Sequence, residues 1–164
     1  MLTSLKQVKK GFTIIELLIV IAIIVILAGL VLTNIQGAQA QARDSARIQN
    51  IGSIRTQLEV YHNDNNAYPQ TFTASDINAE EDALEDPRGS DSIEILAAVA
   101  DEAAAETAVT GAVTDDTDGT AAYAYAAYPT GCTNDCTGYV LGTYTEQAQD
   151  DGNNYVIEIG LANE

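Results

Sequence analysis

Glu16 is the residue whose type and position point most directly to chemistry. Its carboxylate stands directly before Leu17–Leu32, a run of 16 residues without a polar side chain. A charged carboxylate inside hydrocarbon is energetically costly, so an intramembrane acid is a functional candidate. Two interpretations stay open. Either the carboxylate reaches the lipid headgroups from a position near the membrane surface, or it pairs with a cation at the same depth, which must come from another molecule.

Cys132 and Cys136 are the only two cysteines, and three residues separate them. A zinc site of four cysteines is therefore excluded within one chain. The spacing also differs from the C-x-x-C of redox motifs, and no βαβ pattern surrounds it. We expect a disulfide, because oxidation is permitted if this segment lies outside the membrane. A loop this short stabilises the fold by about 2 kcal/mol in the chain-entropy description.

Asp115, Asp116 and Asp118 form the most site-like acidic cluster. Alternating carboxylates followed by Gly119 resemble the first half of a calcium loop. The twelfth position counted from Asp116 is Ala127, where an EF-hand has Glu. The sequence therefore favours a solvated loop, with calcium as the weaker alternative and no other cofactor indicated.

The chain lacks the residue patterns of catalysis. It contains one histidine, His62, and no G-x-S-x-G, H-E-x-x-H or P-loop motif. Residues 56–164 hold one Arg and 22 acidic residues, a balance that repels phosphate and excludes nucleic-acid binding by this acidic body. We expect a protein that is not an enzyme.

The apolar segment has the length of a membrane span. Phe12–Leu32 comprises 21 residues, and a helix of that length spans about 31 Å. Lys6, Lys9 and Lys10 precede it, which predicts a cytoplasmic N-terminus. A cleaved secretory signal is disfavoured, because its apolar region is typically about 7–15 residues. An ordinary single-span anchor stays as an alternative.

The ten residues KKGFTIIELL, at positions 9–18, resemble the type IV prepilin signature. The resemblance extends through Pro69 to type IV pilins and type II secretion pseudopilins. It implies that a prepilin peptidase cleaves between Gly11 and Phe12 and that the new amine of Phe12 is methylated. It also supplies a partner for Glu16, namely the Phe12 amine of a neighbouring subunit, which makes Phe12 and Glu16 the assembly residues.

The same resemblance implies a function. We expect a structural subunit of a type IV pilus or pilus-like filament, assembled through its apolar N-terminal helix. A type II secretion pseudopilin and a minor pilin that acts as an adhesin are the alternatives. The expected partners are other copies of the chain, the prepilin peptidase, the inner-membrane assembly platform and, before assembly, the membrane. The implied location is a single pass in the inner membrane with the N-terminus inside, then an extracellular or periplasmic filament.

The elements that position these residues can also be predicted. A helix is expected from Ile14 to about Tyr61, with Ile48, Ile51, Leu58 and Tyr61 forming the stripe that packs on the head, and Ile54 close to that stripe. Four residues of this helix are predicted to face solvent or neighbouring subunits: Arg43, Asp44, Arg47 and Gln49. A short helix is predicted over 92–106, started by the pair Asp91 and Glu94.

The end of the chain is predicted to form strands. The aromatic and β-branched runs lie at 123–128, 139–145 and 155–161. The resemblance implies an α+β fold, with the apolar half of the long helix protruding and the other half packed on a small C-terminal antiparallel sheet. The predicted segments are a leader (1–11), a transmembrane or filament-core half-helix (12–33), an amphipathic half-helix (34–63), a connector with a short helix (64–122) and the sheet head (123–164).

Overall fold

A computed structural model describes residues 11–89, 93–113, 122–150 and 152–160, apart from the side chains of residues 30–34. The chain divides into two units, one ending at Gln39 and the other beginning at Ala40. Helix α1 runs from Ile14 to Asn65, four residues beyond the predicted end. It ends where Asn66 adopts a left-handed conformation with φ of 55°, which asparagine tolerates better than most residues.

Within its described residues, the second unit contains one further α-helix and four strands. A short 3₁₀ helix at Ala74–Ile77 and another at Glu81–Leu84 follow α1. The remaining elements are β1 (Glu94–Ile95), α2 (Glu102–Val113), β2 (Tyr123–Tyr128), β3 (Gly138–Tyr144) and β4 (Tyr155–Ile159). The strands form one sheet in the order β1-β2-β3-β4. This arrangement confirms the predicted α+β fold class and the three predicted strands.

The sheet is mixed rather than purely antiparallel. β2 pairs with β3, and β3 with β4, in antiparallel register, whereas the two-residue strand β1 runs parallel to β2. Strand β1 was not among the predicted strands. Its Ile95 pairs with Tyr125, and this contact adds a fourth strand at the edge of the predicted sheet.

The short helix lies further along the chain than predicted. The structure places β1 at Glu94–Ile95, and α2 begins only at Glu102. The reason is a different cap: Asp101 Oδ1 accepts a hydrogen bond of 2.9 Å from the Ala104 amide, which satisfies a donor of the first turn. The predicted cap residue Asp91 lies outside the described residues.

Two apolar clusters lie on opposite faces of the sheet. On one face, Tyr123 and Tyr125 of β2 pack in a cluster with Ile51, Ile54 and Leu58 of α1. On the other face, the cluster contains small β2 side chains together with α2; its members include Ala124, Ala126, Ala105, Val109 and Val113. The alternation along β2 thus puts aromatic rings toward α1 and mainly small side chains toward α2.

The buried face of α1 differs from the predicted one. Ile48 is 38% exposed, whereas Asp44 and Arg47, predicted to face solvent or other subunits, are buried. Arg43 is partly buried, and Gln49 is exposed as predicted. The buried stripe is Asp44, Arg47, Ile51, Ile54 and Leu58, with spacings of three and four residues. These spacings keep one helical face toward the sheet, and that face includes charged positions.

Gly142 of β3 lies against side chains from both α2 and β4. A Cβ at this position would lie 2.5 Å from Val109 Cγ1 and 2.8 Å from Ile157 Cδ1. We therefore expect Gly142→Ala to lower the free energy of unfolding by about 1–3 kcal/mol through overpacking. Chemical denaturation of the full chain in detergent measures this. Gly52→Ala is the control, because a Cβ at Gly52 meets nothing within 4 Å. An unchanged midpoint in Gly142→Ala would contradict the packing.

Candidate processing and assembly site

The predicted cleavage residues lie directly before α1. Gly11 and Phe12 are exposed and outside the helix, and Phe12 is 86% exposed. This placement leaves the peptide bond between them accessible in the described structure. The basic residues that precede it, Lys6, Lys9 and Lys10, lie outside the part of the chain that the structure describes.

Thr13 and Glu16 form a reciprocal cap at the start of α1. The Thr13 amide donates a hydrogen bond of 2.9 Å to Glu16 Oε2, and the Thr13 hydroxyl donates one of 2.8 Å to the same oxygen. The Glu16 amide in turn donates a bond of 3.3 Å to Thr13 Oγ1. This is the capping-box arrangement, and the T-x-x-E spacing is the sequence signal that could have revealed it. Glu16 therefore has a role within its own chain that the sequence analysis missed.

The first unit presents apolar side chains on every side of the helix. The exposed large residues of this stretch are Ile14, Ile15, Leu17, Leu18, Ile19, Val20, Ile21, Ile23, Ile24, Val25, Ile26 and Leu27. A helix that is apolar all round is stable only when another apolar phase covers it, either lipid or other helices. Within the described residues, no helix combines the length and the hydropathy that a membrane crossing requires.

The second unit contains a cluster of charged side chains that the sequence analysis did not predict. We call it the ion-pair cluster; its members are Arg43, Asp44, Arg47, Asp86, Arg88 and Glu146. It joins three separate parts of the chain, namely α1, the segment after the second 3₁₀ helix, and the loop between β3 and β4. Three positive and three negative groups balance within it.

Arg47 is the centre of the ion-pair cluster and is fully buried. Its Nη2 lies 2.9 Å from Asp86 Oδ1 and 3.1 Å from Oδ2, while its Nε lies 3.1 Å from Oδ1. Its Nη1 donates bonds of 3.2 Å to Asp44 and to Glu146. Such a buried guanidinium is acceptable only with partners of this kind.

Two contacts attach the β3–β4 loop to α1. Arg43 donates two bonds of 2.6 Å to Glu146, and this pairing holds the pKa of the Glu146 carboxyl below its usual range. Asp44 accepts the backbone amides of Glu146 and Gln147 at 2.8 and 3.0 Å. The helix thus binds the loop through both side chains and main chain.

The tyrosines pack against one another. Tyr125 and Tyr139 stack with ring centroids 5.5 Å apart, and Tyr68 meets Tyr139 edge-on at 4.8 Å. Tyr68 and Tyr139 also donate their hydroxyls to Glu59, and burial raises the pKa of both phenols. His62 stacks on Tyr68 at 4.4 Å, so its ring has a packing role.

The predicted disulfide and the predicted calcium residues have different outcomes. Cys132 and Cys136 are bonded to each other in the structure. Asp115, Asp116 and Asp118 lie outside the described residues, so calcium binding there stays a prediction. Among the residues that are described, no group of three or more His, Cys, Asp and Glu side chains is placed to hold a metal ion.

Comparison with known proteins gives one family match and several partial matches to curated relatives. A family described as "Prokaryotic N-terminal methylation motif" matches residues 6–32. The chain is 38% identical over 63 residues to "Type II secretion system core protein G" of Pectobacterium carotovorum subsp. carotovorum, covering 38% of this chain and 40% of that protein. It is 46% identical over 65 residues to "Type IV wide pilus major component PilA4" of Thermus thermophilus, covering 40% of this chain and 50% of that protein.

A third relative is "Fimbrial protein EcpC" of Eikenella corrodens, 41% identical over 75 residues, which are 46% of this chain and 49% of that protein. The chain thus spans half or less of the length of these curated relatives. No solved structure matches it significantly. Residues 6–32 thus match the methylation-motif family, and the chain is similar over part of its length to components of type II secretion systems and type IV pili.

Proposed function

We propose that this chain is a structural subunit of a type IV pilus or pilus-like filament. The observation that carries the proposal is the helix that begins at Ile14, because its apolar side chains are exposed on every side and it bears one carboxylate near its start. Packing such helices against one another in a filament core removes this surface from water, which contributes about 25 cal/mol per Å² of apolar area. The relatives named as a pilus component and a fimbrial protein support the proposal.

The apolar run also suits the state that precedes assembly. In this proposal the subunit waits in the inner membrane with its N-terminus inside, and the acidic residues after Arg55 lie outside. A prepilin peptidase cleaves between Gly11 and Phe12, and the assembly platform of the same membrane receives the mature subunit. The finished filament is extracellular or, for a secretion pseudopilus, periplasmic.

Pairing between subunits would use the free side of the Glu16 carboxylate. Three hydrogen bonds join Thr13 and Glu16. Two of them are accepted by Glu16 Oε2 and the third by Thr13 Oγ1. Oε1 makes no hydrogen bond within the described residues, so it is available to the Phe12 amine of a neighbouring subunit. A charge inside an apolar core needs such a partner, and the pairing would set the register between neighbouring helices.

The mature N-terminus provides the experiment. Mass spectrometry of the cell-surface form is expected to find a chain that starts at Phe12 with one added methyl group, because cleavage follows Gly11 in the prepilin signature. Gly11→Leu is the matched control and is expected to keep Met1. A Cβ at Gly11 meets nothing within 4 Å, so the substitution leaves the described fold intact. A wild-type surface form that begins at Met1 would contradict processing and, with it, this proposal.

A second candidate is a pseudopilin of type II secretion. It is favoured by the relatives named type II secretion system core protein G, which are 36–38% identical to this chain over 63–66 residues in four bacteria. Imaging of sheared surface material distinguishes the two functions. Abundant long filaments made of this chain indicate a pilin, whereas loss of protein secretion on deletion, without surface filaments, indicates a pseudopilin. The relatives are named as components of secretion systems, pili and fimbriae, and we propose no enzymatic activity.

A further inference from the structure

The disulfide loop contacts the segment that follows α1. Cys132 and Cys136 close a five-residue loop between β2 and β3. The Tyr68 amide donates a bond of 2.9 Å to the Cys136 carbonyl, and the Cys136 amide donates one of 3.2 Å to the Tyr68 carbonyl. The Gln70 amide donates a third bond, 2.6 Å long, to the Thr133 carbonyl. Both acceptor carbonyls thus belong to residues inside the loop that the disulfide closes.

A tyrosine from the sheet also binds this segment. The Tyr125 hydroxyl donates a hydrogen bond to the Pro69 carbonyl. Tyr68 itself is fully buried and packs edge-on against Tyr139. The three residues Tyr68, Pro69 and Gln70 are therefore bound by both the disulfide loop and β2.

We infer that the Cys132–Cys136 disulfide is a clasp on Tyr68–Gln70, and that its oxidation state controls how firmly the end of α1 is attached to the sheet. An open loop samples many more conformations than a closed one, so its two acceptor carbonyls are no longer held at the spacing that Tyr68 and Gln70 require. The inference goes beyond filament formation and does not depend on it.

Burial of both cysteines protects the disulfide from reduction while the loop stays bound to Tyr68–Gln70. Cys136 is fully buried and Cys132 is 5% exposed. Thiol–disulfide exchange requires a thiolate to reach a sulfur atom, so a reductant reacts only after the loop has moved away from Tyr68–Gln70. Formation of the bond therefore precedes docking of the loop. In that step the two cysteine thiols lose two protons and two electrons to the disulfide of an oxidised exchange partner, which leaves as a dithiol.

The rate of reduction tests the clasp in the full chain in detergent. Dithiothreitol is the probe: it gives two electrons and two protons to the Cys132–Cys136 bond and becomes a cyclic disulfide. The new thiols are alkylated and counted by mass spectrometry over time. Tyr125→Phe removes the bond to Pro69 and is expected to accelerate reduction about fivefold, the factor for one hydrogen bond of about 1 kcal/mol.

Tyr123→Phe is the matched control for this rate. Tyr123 lies on the same strand and the same face, and its hydroxyl accepts a bond of 2.9 Å from Asn50 instead of donating one to Tyr68–Gln70. Its reduction rate is expected to equal that of the wild type. Equal rates in all three chains, or equal acceleration in both variants, would overturn the inference, since reduction would then follow general unfolding.

Hydrogen exchange gives an independent measurement. In the double variant Cys132→Ser, Cys136→Ser, the amides of Tyr68 and Gln70 are expected to exchange at least about fivefold faster, whereas those of the β2–β3 ladder keep their rates. Unchanged exchange at Tyr68 and Gln70 would overturn the clasp. Uniformly faster amide exchange throughout the second unit would also overturn it. If the double variant does not fold, the reduction rates of Tyr125→Phe and Tyr123→Phe test the inference instead.

Discussion

Glu16→Ala is expected to lower the yield of surface filaments at least about tenfold while leaving membrane insertion intact. Alanine is compatible with the apolar helix, so insertion does not suffer. Assembly suffers because the Phe12 amine of each neighbouring subunit is then taken into an apolar core without a negative partner. The measurement is quantification of the chain in sheared surface material, compared with the amount in the membrane fraction.

Two further variants separate this pairing from the capping of α1. Glu16→Gln keeps an oxygen that accepts the Thr13 amide but lacks the charge, so we expect it to fail in assembly much as Glu16→Ala does. Thr13→Val removes the hydroxyl that bonds Glu16 but leaves the carboxylate, and is expected to assemble at close to the wild-type level. Wild-type filament yield from Glu16→Gln would show that capping, not charge pairing, is the function of Glu16.

The strands and the long helix could be predicted because single-residue preferences and packing agree there. The sequence YAYAAY at Tyr123–Tyr128 became β2 with the predicted bounds, and its register with β3 pairs residue with residue from Tyr123 to Tyr128. The apolar start of α1 was equally clear, since no polar side chain interrupts the pattern from Leu17 to Leu32. In such segments local preference and tertiary contacts favour the same structure.

The ion-pair cluster could not be predicted, for a physical reason. Charged residues are seldom fully buried, so the sequence pattern predicts that Arg47 and Asp44 lie on the exposed side of α1. Their burial depends on partners far along the chain: Asp86 is 39 positions from Arg47, and Glu146 is 102 positions from Asp44. A pattern of neighbouring residues cannot predict pairs that are so far apart in the sequence. The predicted buried stripe of α1 is wrong at this point for the same reason. It includes the apolar Ile48, whereas the structure buries Arg47 instead.

The predicted start of α2 is also wrong because a tertiary contact determines it. Two capping signals compete, one at Asp91 and one at Asp101, and both precede residues that favour helix. The parallel pairing of Glu94 and Ile95 with β2 removes the first part of the predicted helix. Tertiary contact with the sheet therefore decides where the helix begins, and the sequence around Asp91 alone does not contain that information.

Asp86→Ala is expected to destabilise the second unit by about 3 kcal/mol, the largest loss among the substitutions in this part of the chain. The variant removes the forked partner of Arg47, whose guanidinium is fully buried and contacts Asp86 through Nε and Nη2. Asp44 and Glu146 still contact Nη1, so the loss stays at the lower end of the range for breaking a buried pair. Denaturation of the full chain in detergent, followed by the near-UV dichroism of the packed tyrosines, measures it.

Two variants show whether burial or charge alone determines the stability that Asp86→Ala loses. Glu158→Ala breaks the pair between Arg55 Nη1 and Glu158 Oε2, which are 2.7 Å apart. Because the two side chains are 38% and 32% exposed, the loss is expected to lower the free energy of unfolding by no more than about 1 kcal/mol. Asp86→Asn keeps an acceptor for the turn amide of Arg88 and is expected to fall between wild type and Asp86→Ala. If Asp86→Ala and Glu158→Ala unfolded at the same denaturant concentration, desolvation of Arg47 would not be what makes the ion-pair cluster costly to disrupt.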